Sequence, residues 1–127
     1  MKVTRIAHVS VNVEGSLDTA RSFYADVFGL EQRERPEIPG VAGCWFGVGP
    51  AELHLVDASA AGSGVDPTGP HFCVFVEDLP AAIAELGARG HELVQSSQGD
   101  VIQVWVVDPA GNTVELQQDR GSAGRNS

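Results

Sequence analysis

Three histidines and one glutamate lie where they could hold a metal ion. His8, His54, His71 and Glu115 each fall in a short run of alternating apolar and polar residues. A carboxylate withdrawn from water costs several kcal/mol unless it is paired, and no lysine or arginine lies on the predicted strand faces that carry these groups. Imidazole nitrogens and carboxylate oxygens suit Zn²⁺, Ni²⁺, Co²⁺, Mn²⁺ or Fe²⁺. We therefore predict one divalent cation bound by these four side chains, with positions left for water or substrate.

The segment AELHLVD, residues 51–57, contains a second candidate ligand. Glu52 and His54 are two positions apart, so in a strand both side chains project from the same face. Either group could bind the cation. We expect His54 to be the ligand, and Glu52 stays open as the alternative.

The predicted ligands occupy matching places in an internal repeat. His71 follows His8 by 63 residues, and Glu115 follows His54 by 61. Around them the order strand, helix, three strands occurs twice. In each half, apolar residues recur first at every second position, as in a strand, then at every third or fourth, as in a helix, and then again at every second. The predicted strands lie near 5–13, 30–36, 41–48, 51–57, 70–76, 91–96, 100–108 and 113–118, and the predicted helices lie within 14–30 and 77–90. The chain is thus predicted to be an α+β protein built of two βαβββ modules in tandem.

These elements fit a single domain over residues 1–119. Module one covers 1–57, a connector rich in small residues covers 58–69, and module two covers 70–119. The last residues, 120–127, are small and polar and are expected to form a flexible tail. Since helices must cover the Val, Leu and Ala faces of the sheets, the His and Glu faces are expected to point into a concave site.

Four further residues are expected to line a substrate pocket beside the metal. They are Trp45, Cys73, Gln103 and Trp105. Cys73 lies on the same strand face as His71, and Trp105 shares a face with Gln103. The two cysteines of the chain are expected to be reduced thiols, because they lie far apart in apolar runs and form no CxxC motif.

The amino-acid composition excludes some classes of binding partner. The formal net charge of -9 would repel nucleic acid and anionic lipid, so a small-molecule substrate is expected instead. No apolar run reaches the roughly 20 residues that span a membrane. The start of the chain alternates and offers no apolar signal-peptide core, so a cytoplasmic location is expected.

Five segments together resemble the vicinal oxygen chelate superfamily, which groups glyoxalase I, bleomycin-resistance proteins, fosfomycin-resistance enzymes, methylmalonyl-CoA epimerase and extradiol dioxygenases. The segments are IAHVSVNV, ARSFYADVFGLE, ELHLVD, PHFCVFVEDLPAAIAEL and VVDPAGNTVELQQ, within residues 3–118. The resemblance implies a glyoxalase-like fold, in which paired modules form a cup-shaped open barrel around a divalent metal, usually in a homodimer. It places the metal ligands at His8, His54, His71 and Glu115. His54 departs from glyoxalase I and the epimerase, which are similar to each other in having Glu or Gln at this position.

The resemblance implies three functions in order of expectation. The first is a metal-dependent lyase or isomerase of the glyoxalase type, acting through a metal-stabilised enediolate with Glu115 as the catalytic base. The second is a metal-independent protein that binds a small molecule such as an antibiotic. The third is an Fe-dependent ring-cleaving dioxygenase, for which two histidines and a carboxylate would suffice.

Overall fold

The computed structural model describes residues 2, 4–59, 65, 67 and 70–121. The chain divides into two compact units, Met1–Gly62 with Pro109–Asn112 and Ser63–Asp108 with Thr113–Ser127. The predicted connector 58–69 and the predicted tail 120–127 lie partly outside the described residues, and the domain boundaries stay predictions.

The first unit is a four-stranded sheet with one helical segment. Its elements in chain order are β1 (His8–Asn12), α1 (Leu17–Ser22), a π-helical turn (Phe23–Val27), β2 (Glu31–Arg33), β3 (Gly43–Val48) and β4 (Ala51–Val56). The sheet order is β1-β4-β3-β2. The first strand runs parallel to β4, whereas the other neighbouring strands are antiparallel. This is a βαβββ module, called module one below.

The two faces of β4 differ in burial. Leu53 and Leu55 are buried, whereas the alternate residues Glu52 and His54 are only half-buried. The leucines share their face with Phe46, on which the Tyr24 ring of the helical segment packs. Helix packing therefore covers the apolar face and leaves the other face to the predicted ligands.

The first helical segment is less regular than the predicted helix within 14–30. Its second half is π-helical, and the Phe28 N–H donates to the Phe23 carbonyl five residues back. The wider turn lets the rings of Phe23, Tyr24 and Phe28 meet, with centroids 5.1, 5.2 and 5.7 Å apart. Ser16 precedes the helix, but its side chain makes no capping hydrogen bond. Gly29 ends the segment with a φ of +66°.

The second unit repeats this architecture. Its elements are β5 (His71–Val76), α2 (Leu79–Ala88), β6 (Val94–Gln98), β7 (Val101–Val107) and β8 (Thr113–Gln118). The sheet order is β5-β8-β7-β6, and again the first strand runs parallel to the last. We call it module two. The predicted α+β fold with two βαβββ modules is therefore confirmed.

The second helix is capped at both ends. The Asp78 carboxylate accepts a hydrogen bond from the Ala81 N–H at 3.0 Å, and Gly90 leaves the helix with a φ of +85°. The His91 N–H still donates to the Leu86 carbonyl. For this reason β6 begins at Val94, three residues later than predicted. Within the part of the chain that the structure describes, no helix has the length and apolar character of a membrane span.

Candidate metal and substrate site

His54 and Glu115 occupy the same place in the two sheets. In module one the strand register sets His54 between Ser10 of β1 and Trp45 of β3. In module two the corresponding residues are Cys73, Glu115 and Trp105. The repeat inferred from sequence spacing is thus reproduced in strand pairing, with a tryptophan beside each of these two predicted ligands.

In module one, three aromatic rings are stacked. The indole of Trp45 lies 4.0 Å from the His54 ring and 5° from parallel with it. On the other side the His8 ring lies 4.2 Å away at 13°. His54 is also held in its plane, because its Nε2 lies 3.0 Å from Oε1 of Glu52. The His54 side chain is 12% exposed and that of Glu52 is 33% exposed, so both remain reachable.

In this geometry, Glu52 and His54 are spaced as two ligands of one metal ion would be. Two ligands about 2.1 Å from one cation lie roughly 3.0 Å apart at an octahedral angle and roughly 3.4 Å apart at a tetrahedral angle. The 3.0 Å between His54 Nε2 and Glu52 Oε1 is close to the octahedral spacing. The lone pairs of His8 and His54 lie in nearly parallel ring planes and do not converge. To join His54 on a cation, His8 has to turn out of the stack.

In module two, the second predicted pair is already in contact. The Nε2 atom of His71 lies 3.2 Å from Oε1 of Glu115, again the spacing of two ligands on one cation. The Glu115 side chain is only 5% exposed. Its other oxygen, Oε2, accepts hydrogen bonds from Nε2 of Gln103 at 3.1 Å and Nε2 of Gln117 at 2.7 Å. The two amides fix the carboxylate from one side and leave Oε1 facing His71.

The candidate metal donors lie in pairs, His54 with Glu52 and His71 with Glu115. Among the residues that the structure describes, no group of three or more His, Cys, Asp and Glu side chains is arranged to hold a metal ion. The donor pairs are chemically suited to borderline divalent cations, since each combines an imidazole nitrogen with a carboxylate oxygen.

Cys73, a predicted pocket residue, lies beside Glu115 in the strand register. The residue is exposed, but its sulfur is partly desolvated, and this raises the pKa of the thiol to about 12. The negative charge of Glu115 contributes to the increase in pKa. The Glu115 carboxylate also accepts a hydrogen bond from the thiol, which raises the pKa further. Burial and Glu115 thus favour the neutral thiol of Cys73 over the nucleophilic thiolate. Both cysteines are free thiols, as expected.

Trp105 and Gln103 make contacts that the sequence pattern did not reveal. Trp105 is buried, and its ring meets His71 edge to face at 4.9 Å. Its Nε1–H donates to Oγ of Ser96 at 3.3 Å, and Ser96 donates to Oε1 of Gln103 at 3.1 Å. Ser96 was not among the predicted site residues, because its position opposite Gln103 depends on where β6 begins. Gln117 was also absent from the prediction, although it lies two positions after Glu115 on the same face.

A groove of about 440 Å³ opens beside Gln117 in module two. Apolar side chains dominate its wall, and the lining is formed by Phe75, Leu79, Pro80, Ile83, Gln95, Asp100, Val101, Ile102, Gln117, Gln118 and Arg120. None of the four predicted pocket residues is part of that lining. Gln117 links the groove to Glu115, because it lines the groove and donates to Oε2 of that carboxylate, which is not itself part of the lining.

Residues 5–116 match the family model described as Glyoxalase/Bleomycin resistance protein/Dioxygenase superfamily. A lactoylglutathione lyase of Arabidopsis thaliana is 29% identical over 125 residues, which make up 90% of this chain and 44% of that protein. The chain thus spans less than half the length of this relative.

Two crystal structures show the same fold. A protein of Bacillus anthracis described as belonging to the glyoxalase family superposes with a TM-score of 0.82 at 28% identity, and the match covers 94% of this chain and 98% of the other. A lactoylglutathione lyase of Agrobacterium tumefaciens gives a TM-score of 0.74 at 25% identity, covering 94% and 96% of the two chains.

Proposed function

Because the chain belongs to the Glyoxalase/Bleomycin resistance protein/Dioxygenase superfamily, we propose that it is a divalent-metal-dependent lyase or isomerase acting on a small substrate with two neighbouring oxygen atoms. The observation that carries this proposal is the contact between Glu115 and His71. A carboxylate oxygen and an imidazole nitrogen 3.2 Å apart, one of them on a nearly buried side chain, have the types and spacing of two metal ligands.

The proposed ligand set is His8, His54, His71 and Glu115, with Glu52 as the alternative to His54. The cation, one per site, is Zn²⁺, Ni²⁺, Co²⁺, Mn²⁺ or Fe²⁺, which this donor set accommodates. When bound, such a cation acts as a Lewis acid that stabilises negative charge developing on the substrate oxygens.

Glu115 would release the cation as the substrate enters, and it is then proposed to move the proton. Because Gln103 and Gln117 hold Oε2, the oxygen that takes a proton from the carbon next to a substrate carbonyl is Oε1. The same oxygen then delivers the proton to the neighbouring carbon. Trp45, Trp105 and Cys73 are proposed to line the pocket and exclude water around this transfer.

The groove beside Gln117 is proposed to hold the carbon skeleton of the substrate, since its wall is mainly apolar. Three arginines that could bind a highly charged substrate already have partners, and one of them is Arg120 of the groove lining, which donates to the Asp100 carbonyl and lies 3.7 Å from its carboxylate. Arg5 donates to the Pro50 carbonyl, and Arg35 donates to the Val41 carbonyl. A substrate with few negative charges, such as an adduct of a 2-oxoaldehyde with a small thiol, fits these surroundings better than a glutathione adduct.

Proton exchange in the metal-loaded protein tests the proposal. The full chain is loaded with Zn²⁺ or Ni²⁺, its metal content is measured, and exchange of substrate protons in D₂O is followed by NMR for a panel of 2-oxoaldehyde thiol adducts that includes the glutathione adduct. We expect Glu115→Gln to slow exchange by at least about 100-fold. Glu85→Gln is the matched control, because Glu85 is an exposed helical carboxylate paired with Arg89. A metal-loaded wild-type protein that exchanges no proton with any adduct would contradict the proposal.

The protein is further proposed to work as a homodimer, the state that the resemblance implies. Light scattering of the purified chain with and without Zn²⁺ measures the mass. A monomer under both conditions contradicts dimerisation and leaves the catalytic proposal intact.

A second candidate function is supported by the groove itself. Phe75 and Ile102 are 53% and 51% exposed, and such apolar surface suits a protein that binds a small apolar molecule without catalysis. Binding of a bleomycin-like or other aromatic compound before and after chelation of all metal separates the two functions. Undiminished binding in the chelated protein, with no proton exchange in the loaded protein, favours the binding function.

A further inference from the structure

We propose that Ser96 and Gln103 position Glu115 through a hydrogen-bond relay that begins at the Trp105 indole. The relay deepens the function proposed above, since it rests on Glu115 as a metal ligand. It runs from Trp105 on β7 to Ser96 on β6, back to Gln103 on β7, and on to Glu115 on β8. The three donor to acceptor distances are 3.3, 3.1 and 3.1 Å.

The chemistry of the groups sets one direction for this relay. An indole N–H can only donate, and a hydroxyl has a single hydrogen to give. Because Ser96 accepts from Trp105, its own hydrogen is available for Oε1 of Gln103. With its oxygen occupied in this way, the Gln103 amide turns its NH₂ group to Glu115. The relay ends at a carboxylate, which when ionised only accepts.

This direction determines how the carboxylate is presented. Because the Ser96 hydroxyl donates to its Oε1, the Gln103 amide is fixed and can support Oε2 of Glu115. Rotation of the carboxylate would break this bond and the one from Gln117. Oε1 is thereby kept at His71, which is the orientation that a shared cation requires.

Groups that support a ligand in this way affect metal binding without touching the metal. Loss of such a partner typically weakens metal affinity by about 10- to 100-fold. Ser96→Ala removes the hydroxyl from the middle of the relay and leaves the ligands in place. Ser97→Ala is a matched control, because Ser97 is the next residue of β6 and projects from the opposite face.

The two tryptophans of the chain make the relay observable without metal or activity. In ¹⁵N–¹H spectra of the metal-free protein, each indole gives one resonance. We expect Ser96→Ala to shift the Trp105 indole resonance and increase its exchange with water, and Ser96→Thr to restore both. We expect Glu115→Gln to shift the same resonance from the far end of the relay. The Trp45 resonance and the Ser97→Ala spectrum should match the wild type.

Titration with Zn²⁺ and Co²⁺ then measures the positioning effect. We expect Ser96→Ala to weaken Co²⁺ binding by about 10- to 100-fold and to alter its visible spectrum, with Ser96→Thr close to wild type. Unchanged Trp105 resonance in Ser96→Ala overturns the relay. A shifted resonance with unchanged metal affinity overturns its positioning role. A wild-type protein that binds neither ion, yet shows the expected resonance shifts, overturns the metal-dependent function and retains the relay.

Discussion

Trp45 and His54 lie face to face on adjacent strands, with ring centroids 4.0 Å apart and planes 5° from parallel. Trp45 is therefore a built-in reporter for anything that binds His54. In Trp105→Phe all indole emission comes from Trp45, because the chain has two tryptophans. We expect saturating Zn²⁺ to change this emission, and His54→Leu in the same background to remove the response. An unaltered response without His54 would contradict binding at that imidazole.

The contact between Glu52 and His54 allows the ligand of β4 to be identified. If His54 binds the cation, His54→Ala should lower Zn²⁺ affinity by more than about 100-fold. Glu52→Gln should cost no more than the roughly 10- to 100-fold typical of a ligand's hydrogen-bond partner. Titration calorimetry measures both. The reverse order of the two effects would make Glu52 the ligand and His54 its support.

The raised pKa of Cys73 predicts a pH dependence. Alkylation by iodoacetamide requires the thiolate, so its rate should be low at pH 8 and rise until the pH approaches about 12. Glu115→Gln removes a negative charge next to the thiol and should shift the profile to lower pH. Saturating Zn²⁺, bound at Glu115, should shift it in the same direction. Peptide mass spectrometry distinguishes Cys73 from the buried Cys44. An identical profile in Glu115→Gln would contradict this coupling.

The same thiol affects folding stability with a definite sign. Its pKa in the folded chain lies above the ordinary thiol value of 9.0, so the folded state disfavours the thiolate. The contribution of Cys73 to the free energy of unfolding is complete below pH 9 and is lost as the pH rises toward about 12. Cys73→Ala should reduce this loss of stability in urea unfolding measured across that range.

The two helices differ in their first turn, and their stability should differ accordingly. Asp78→Ala removes the acceptor of the Ala81 N–H and should lower the free energy of unfolding by about 0.5–2 kcal/mol. Ser16→Ala is the control, because the Ser16 side chain makes no capping hydrogen bond and should cost little. Asp78→Asn keeps an acceptor and should recover most of the loss. Equal effects of Asp78→Ala and Ser16→Ala in urea unfolding would refute the capping assignment.

A substitution in the wall of the groove in module two should weaken substrate binding and leave metal binding unchanged. Ile102→Ser makes its wall more polar, and we expect a several-fold higher KM with unaltered Zn²⁺ affinity. Ile38→Ser is the comparison variant, because Ile38 is 42% exposed in the other unit and does not line the groove. A similar KM for both variants would remove the groove from the substrate site.

The sequence predicted most of the fold because alternation and its interruption are local signals. The equivalence of His54 and Glu115 followed from spacing and is reproduced in strand register. Side-chain orientation did not follow, because it depends on neighbours from other strands. The stacking of His8 on His54 and the hydrogen bond from Ser96 to Gln103 are examples. The identities of these residues do not by themselves predict the contacts, because the partners meet only when their strands pair.

The position of β8 between β5 and β7 has a consequence for biogenesis. His71 leaves the ribosome 44 residues before Glu115, and the two side chains meet only when the final strand inserts between two earlier ones. A nascent chain that stops before residue 113 has no donor pair in module two. The proposed metal therefore cannot guide the early steps of folding there, because His71 and Glu115 come together only after β8 has inserted.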